Sequence, residues 1–274
     1  MYEPAWLDVV SAPVAGRTQK PRRLGLTMVM DKGLGLGQTA ELLELAAPYI
    51  DFLKLGFGTS FLYSPKLLHE KIKLVRAAGI HIYPGGTFLE IAFLQNRLEP
   101  YLERVAELGY TYVEVSDGTI PMTRADRRRA IRLAQALGLG VLTEVGKKDS
   151  RDQVSLRQIK EQVMADLADG AERVIVEGRE SGRGVVIFDR HGFLRLDELE
   201  SLLDGLPVLD RLIGEAPQKH QQQELILRFG PNVNLGNIPP AEVLALEALR
   251  RGLRGDTLRA ALYGEGAVAA GEGK

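Results

Sequence analysis

Four glutamates and a lysine stand where charge is unexpected. Lys54 interrupts DFLKL, Glu114 interrupts TYVEVS, Glu144 interrupts VLTEV, Glu177 closes RVIVE and Glu215 follows RLIG. The rest of each run has the apolar and β-branched character of a buried strand. Carboxylates gathered at one end of such strands repel one another in low dielectric unless they are neutralised. Lysines and arginines can neutralise some, and a divalent cation the rest. With no cysteine in the chain, the donors are oxygens, which select Mg²⁺ over Zn²⁺.

Cations and glycines follow the same runs. Asp31 and Lys32 end the first, Lys147 and Lys148 end LTEVGKKD, Arg179 and Arg183 punctuate GRESGRG, Lys219 closes APQK, and Gly236 and Asn237 follow NVNL. Glycines free backbone N–H groups for anions, and guanidinium groups fork onto phosphate, sulfonate or carboxylate. The inventory predicts a metal on Glu114 and Glu144, with Asp31 and Glu177 next. Lys32, Lys54, Arg179, Arg183, Glu215 and Lys219, with the backbone at Gly236 and Asn237, are the candidate substrate contacts. The catalytic candidates are Lys148 and Lys147. A regular strand puts Leu142, Glu144, Gly146 and Lys148 on one side. Lys148 then faces inward beside Glu144, and Lys147 is kept as an anion binder. A bulge at Gly146 would reverse that parity.

These residues need strands that end together. The short β-type runs are Leu24–Met30, Asp51–Leu55, Ile80–Tyr83, Thr111–Ser116, Leu139–Val145, Arg173–Glu177, Arg211–Gly214 and Asn232–Leu235. Each precedes a segment of helical periodicity; the one from Phe88 to Leu108 is expected to break near Pro100. Eight strand–helix units argue an α/β fold with a parallel sheet, and the count favours a single (β/α)₈ TIM barrel over a doubly wound open sheet. Charged mid-strand residues then point into the barrel, near the strand ends where such folds build active sites. Asn232 and Asn234 share one parity of the eighth run. Residues 1–20 read as an N-terminal extension, 21–262 as the barrel, and 263–274 as a short flexible tail.

Other features carry less. GLGLGQT (33–39) lacks the GxGxxG spacing of a dinucleotide loop. His69, His81, His191 and His220 have no metal-ligand spacing, and His81 is expected to face the helices. RADRRRAIR (124–132) reads as a solvated helix face. Lys plus Arg number 35 against 36 Asp plus Glu, so no global field draws nucleic acid or membrane. No signal peptide or membrane span is evident, and the absence of cysteine suits the cytoplasm. A homo-oligomer remains open.

Taken in order, LTMVMDKGL, YIDFLKLGFGTS, IYPGGT, VEVSDGT, VLTEVGKKD, VIVEGRESGRG, EAPQKHQQ, VNLGNI and LRRGLRGDT resemble the phosphosulfolactate synthase family. The resemblance implies a Mg²⁺-dependent (β/α)₈ barrel that adds sulfite to phosphoenolpyruvate, giving (R)-2-phospho-3-sulfolactate, a precursor of coenzyme M or a source of sulfolactate. It also implies a general acid at the second lysine of the motif, Lys148. The alternatives are another Mg²⁺-dependent barrel enzyme acting on a phosphorylated enol acid, or a non-catalytic relative like the plant heat-stress-associated protein.

Overall fold

A computed structural model describes residues 5–147, 154–179, 181–184, 187–206 and 208–263. The strands are β1 Thr27–Asp31, β2 Phe52–Leu55, β3 His81–Pro84, β4 Tyr112–Val115, β5 Gly140–Val145, β6 Arg173–Val176, β7 Leu212–Glu215 and β8 Leu235–Ile238. They lie in the order β3-β2-β1-β8-β7-β6-β5-β4, and every registered pair is parallel. The two ends of that order meet. Thr111 N donates to Ile82 O at 3.1 Å, and Ile82 N donates to Thr111 Oγ1 at 3.0 Å. The sheet is therefore a (β/α)₈ barrel.

The helices are α1 Leu36–Ala46, α2 Pro65–Ala77, α3 Gly86–Leu94, α4 Leu98–Glu107, α5 Arg124–Ala136, α6 Leu156–Asp169, α7 Leu196–Leu203, α8 Lys219–Phe229, α9 Val243–Arg250 and α10 Gly255–Tyr263. The segment expected to break near Pro100 breaks earlier, at Asn96, which is left-handed with φ 55°. Pro100 instead sits in the first turn of α4, where a missing N–H costs nothing.

Period-two alternation sorts the strands into two sets. Outward residues such as Val29, Leu53, Ile82, Val113 and Val174 join the core between sheet and helices. Inward residues form a separate plug of Leu26, Met28, Phe52, Tyr83, Leu142, Ile175 and Ile213. At about 25 cal/mol per Å² of apolar surface, burying each of these large side chains contributes about 2 kcal/mol. His81 belongs at the foot of this plug rather than against the helices. Its ring lies 5.3 Å from Phe52 and 4.6 Å from Tyr112.

The eighth strand begins later than its sequence run. Asn232 and Asn234 precede it and brace the barrel's lower end. Asn234 accepts from Leu26 N at 3.0 Å and donates to the carbonyls of Asp210 and Leu212, both at 2.9 Å. Asn232 holds the N-terminal segment by accepting from Thr18 N at 3.0 Å and donating to Gly16 O at 2.8 Å. Arg17 ion-pairs Glu247 at 3.0 Å, and Arg22 pairs Asp51 at 2.8 Å. These contacts dock that segment on the end opposite the strand C-termini.

Candidate active site

Two residues beyond the apolar plug on β2, β4, β5, β6 and β7, the inward positions turn charged. Lys54 from β2 stands among Glu114 from β4, Glu144 from β5 and Glu215 from β7, with Nζ–O distances of 3.0, 3.5 and 3.3 Å. Glu177 follows β6 on the same parity. Lys54, Glu114, Glu144, Glu177, Glu215, Met30, Arg179 and Asn237 line one cavity at the C-terminal mouth. All four carboxylates are at most 2% exposed, and Lys54 is 6% exposed. Burial alone would push the Lys54 ammonium down; Glu114, then Glu215 and Glu144, outweigh it and hold the group well above its ordinary pKa. Tyr83 floors the site. Burial and the nearby Glu114 raise its phenol well above the usual range, and its hydroxyl has no hydrogen-bond partner among the described residues.

Each carboxylate is held from behind. Gly86 N, at the start of α3, donates to Glu114 Oε1 at 2.7 Å. A Cβ on Gly86 would stand 2.5 Å from Ser116 Cβ and 2.7 Å from that oxygen, so only glycine fits. Ser116 Oγ lies 2.9 Å from Glu144 Oε1. Gly178 N donates to Glu215 Oε2 at 2.9 Å, and Arg179 N to Glu177 Oε1 at 2.5 Å. Arg179 needs a left-handed backbone, φ 56°, to make that turn.

Glu144, Glu177 and Glu215 each present an oxygen within 4.8 Å of the others. Opposite oxygens around Mg²⁺ lie about 4.2 Å apart, twice a bond of about 2.1 Å. A small contraction, or a bridging water, fits this set to the ion, and the backing hydrogen bonds orient the ligands as a metal site needs. Glu114 shares the mouth, but its oxygens face the α3 N-terminus and Lys54. Glu215, expected as a substrate contact, stands in the metal-competent trio.

Asp31 is not brought to this cluster. Met28 faces the plug and Met30 lines the mouth, so β1 parity turns Asp31 outward. There Oδ1 accepts from Gly33 N and Leu34 N, both at 2.7 Å, and Lys71 of α2 pairs with Oδ2. Lys32 is exposed, 5.9 Å over the Phe57 ring. Lys219 reaches Asp256 of α10 at 2.7 Å, and Arg183 is exposed; neither lines the mouth. Gly236 is buried beside the plug, where a Cβ would meet Met28 Cε at 2.6 Å. Asn237, left-handed with φ 55°, does line the mouth, and its buried Oδ1 has no hydrogen-bond partner among the described residues.

The regular strand that was to carry Lys148 inward stops at Gly146, whose φ is 112°. Lys148 lies outside the described residues. Lys147 turns away from the mouth onto Asp117, at 2.9 Å.

Two residues escaped the sequence reading. Glu90 of α3 is 1% exposed and clamps the β4–α5 loop. It takes Gly118 N at 2.9 Å, Thr119 N at 3.1 Å, Ser116 Oγ at 2.6 Å and the Thr119 hydroxyl. A lone acid in the otherwise apolar helix GTFLEIAFL was the available signal. Arg127 corrects the view of RADRRRAIR as wholly solvated, for it is 2% exposed. Arg127, Ala130, Ile131 and Ala134 share the buried face of α5 at helical spacing.

A family model for (2R)-phospho-3-sulfolactate synthase matches residues 15–256. The chain belongs to this family. It is 46% identical to the phosphosulfolactate synthase of Methanothermobacter thermautotrophicus, over 92% of this chain and 96% of the relative. The phosphosulfolactate synthase of Bacillus subtilis is 39% identical, over 88% and 95% of the two chains. The Arabidopsis thaliana protein HEAT-STRESS-ASSOCIATED 32 is 21% identical, over 85% and 88%. Among solved structures, 3-hexulose-6-phosphate synthase from Salmonella typhimurium superposes with a TM-score of 0.55 at 14% identity, covering 82% of this chain and 97% of that one. At that identity it supports the fold alone. No helix among the described residues is long and apolar enough to cross a membrane.

Proposed function

We propose that this family member is a Mg²⁺-dependent phosphosulfolactate synthase that adds sulfite to phosphoenolpyruvate. The observation that carries the reading is the buried ring of Lys54 and four carboxylates, set at the mouth of a barrel whose residues 15–256 match the family. In the reaction, sulfite sulfur bonds to the methylene carbon of phosphoenolpyruvate. The C=C electron pair moves toward C2 and the substrate carboxylate, and a proton then adds to C2. Both reactants are anions, so they need cations and N–H donors to bring them together.

Glu144, Glu177 and Glu215 would hold Mg²⁺. When bound, the ion supplies electrostatic stabilisation of negative charge developing on the substrate carboxylate. Lys54 holds Glu114, Glu144 and Glu215 in their array. Arg179 and the Asn237 amide line the same mouth and suit a phosphate or sulfonate oxygen. Tyr83 closes the floor against water. Lys148 is the proposed proton donor to C2. A chain without cysteine suits the reducing cytoplasm as the setting.

The test mixes purified protein, Mg²⁺, phosphoenolpyruvate and sulfite, follows loss of the enol absorbance, and identifies the product by mass. No turnover with sulfite rejects the reading. Turnover only with another nucleophile moves the protein to the alternative enol-acid chemistry. Glu177→Gln should weaken the Mg²⁺ dependence of both rate and thermal midpoint. An unchanged dependence would remove the metal assignment.

A further inference from the structure

Lys147 was expected to gather anions, but its surroundings give it other work. Its Nζ donates to Asp117 Oδ2 at 2.9 Å, to the Asp117 carbonyl at 2.6 Å and to the Ile120 carbonyl at 3.4 Å. An ammonium carries three protons, and these three acceptors take them. Asp117 is itself fixed, because its Oδ1 accepts from Arg127 Nη1 at 3.0 Å. Arg127 forks onto Asp166 of α6 through Nε and Nη2, at 2.9 and 2.7 Å, and Nη2 also donates to the Glu144 carbonyl at 2.7 Å. One buried guanidinium thus ties α5, α6, the β4–α5 loop and the end of β5. On its other side that loop is clamped by Glu90.

The consequence falls on Glu144. Its carbonyl is held by Arg127, and two residues later the chain swings out at Gly146 and is pinned by Lys147. We propose that Lys147 is a positioning residue: seated on Asp117 and Arg127, it fixes the exit of β5 and so the aim of the Glu144 carboxylate into the mouth. This rests on the proposed reaction for its kinetic consequence, though not for its geometry. Orienting contacts behind a catalytic ligand are worth about 10- to 100-fold in activity.

The test uses the full chain, with thermal melts confirming that each variant folds. Lys147→Met should lower kcat by about 10- to 100-fold while KM for phosphoenolpyruvate and for sulfite stays within about twofold. Lys147→Arg, which keeps a cation of sufficient reach, should recover much of the loss. The double variant Lys147→Met/Asp117→Asn should be no worse than Lys147→Met alone. A rise of about tenfold or more in either KM with kcat kept would make Lys147 an anion binder and overturn the proposal; so would full activity in Lys147→Met. A second arm needs no turnover. Amine labelling followed by mass spectrometry should modify Lys147 about fivefold faster in Asp117→Asn than in the parent, the equivalent of about 1 kcal/mol of lost ion pairing. Equal labelling rates overturn the anchoring. If the parent protein fails to join sulfite to phosphoenolpyruvate, the reaction is rejected and the labelling arm still decides the anchor.

Discussion

Replacing Lys54 by methionine tests the centre of the site. The variant keeps the side-chain length and removes the charge. Lys54 is 6% exposed and lies 3.0, 3.3 and 3.5 Å from Glu114, Glu215 and Glu144. With an effective dielectric of about 20, each pair is worth about 5 kcal/mol gross. Desolvation of the four groups takes back much of this, and removing one partner of a buried ion pair typically costs about 3–5 kcal/mol net. For a chain of this size the thermal midpoint should fall by about 10 °C near neutral pH.

The pH dependence has a definite sign. The Lys54 pKa is raised in the folded state. Its stabilisation is therefore present throughout the range below its unfolded value of about 10.4, and is lost only in strong alkali. Between about pH 8 and pH 5 Lys54 stays charged, so its own contribution to the gap between parent and variant does not change with pH. Mg²⁺ should also raise the midpoint of Lys54→Met more than that of the parent, because the site is more negative. The assay is thermal denaturation followed by circular dichroism across pH and Mg²⁺ concentration. A midpoint within about 2 °C of the parent near neutral pH, or no larger Mg²⁺ effect on the variant than on the parent, would refute the account of the site as a lysine-neutralised acid ring.

Three further outcomes follow from the geometry. Arg127→Met strands the buried Asp166, 1% exposed, and should cost about 3–5 kcal/mol in chemical denaturation, whereas Arg127→Met/Asp166→Leu should recover most of that; a double variant as unstable as the single one would contradict this. Gly86→Ala drives a Cβ to 2.5 Å from Ser116 Cβ, so it should lose about 1–3 kcal/mol and much of its turnover, checked by denaturant midpoint and rate. Burial, outweighing the pull of Asp51, lowers the Lys20 pKa to about 8. The charged form is thus disfavoured by folding, and Lys20→Met should stabilise by about 1 kcal/mol below that pH, after allowance for partial exposure. The gain should fade as pH rises from there toward the unfolded pKa of about 10.4, measured by midpoint against pH.

Much of the site was readable because strand periodicity is rigid. A charge at Lys54, Glu114, Glu144, Glu177 or Glu215 stands two residues beyond an inward Phe52, Tyr112, Leu142, Ile175 or Ile213, and alternation carries it to the same side. The same rule, applied to Met28 and Met30, turns Asp31 away. Alternation ceases where the backbone leaves the strand. Gly146 at φ 112° ends the inference toward Lys148, and the late start of β8 moves Asn232 and Asn234 to the opposite end of the barrel.

The sequence by itself determined the alternating strand–helix order, the eightfold count, the family and the set of inward charges, because these depend on local period and on motif order. Tertiary structure alone decided which charges meet. Lys219 and Lys32 look as apt as Lys54 for an anion, yet one reaches Asp256 and the other lies over Phe57, while Lys54 enters the acid ring. Arg127 has the composition of a solvated helix but lies in a joint between α5, α6 and β5. The physical reason is that long side chains choose partners by distance across the fold. In low dielectric a buried charge persists only where an opposite charge stands some 3 Å away, because leaving it unpaired costs more than pairing it.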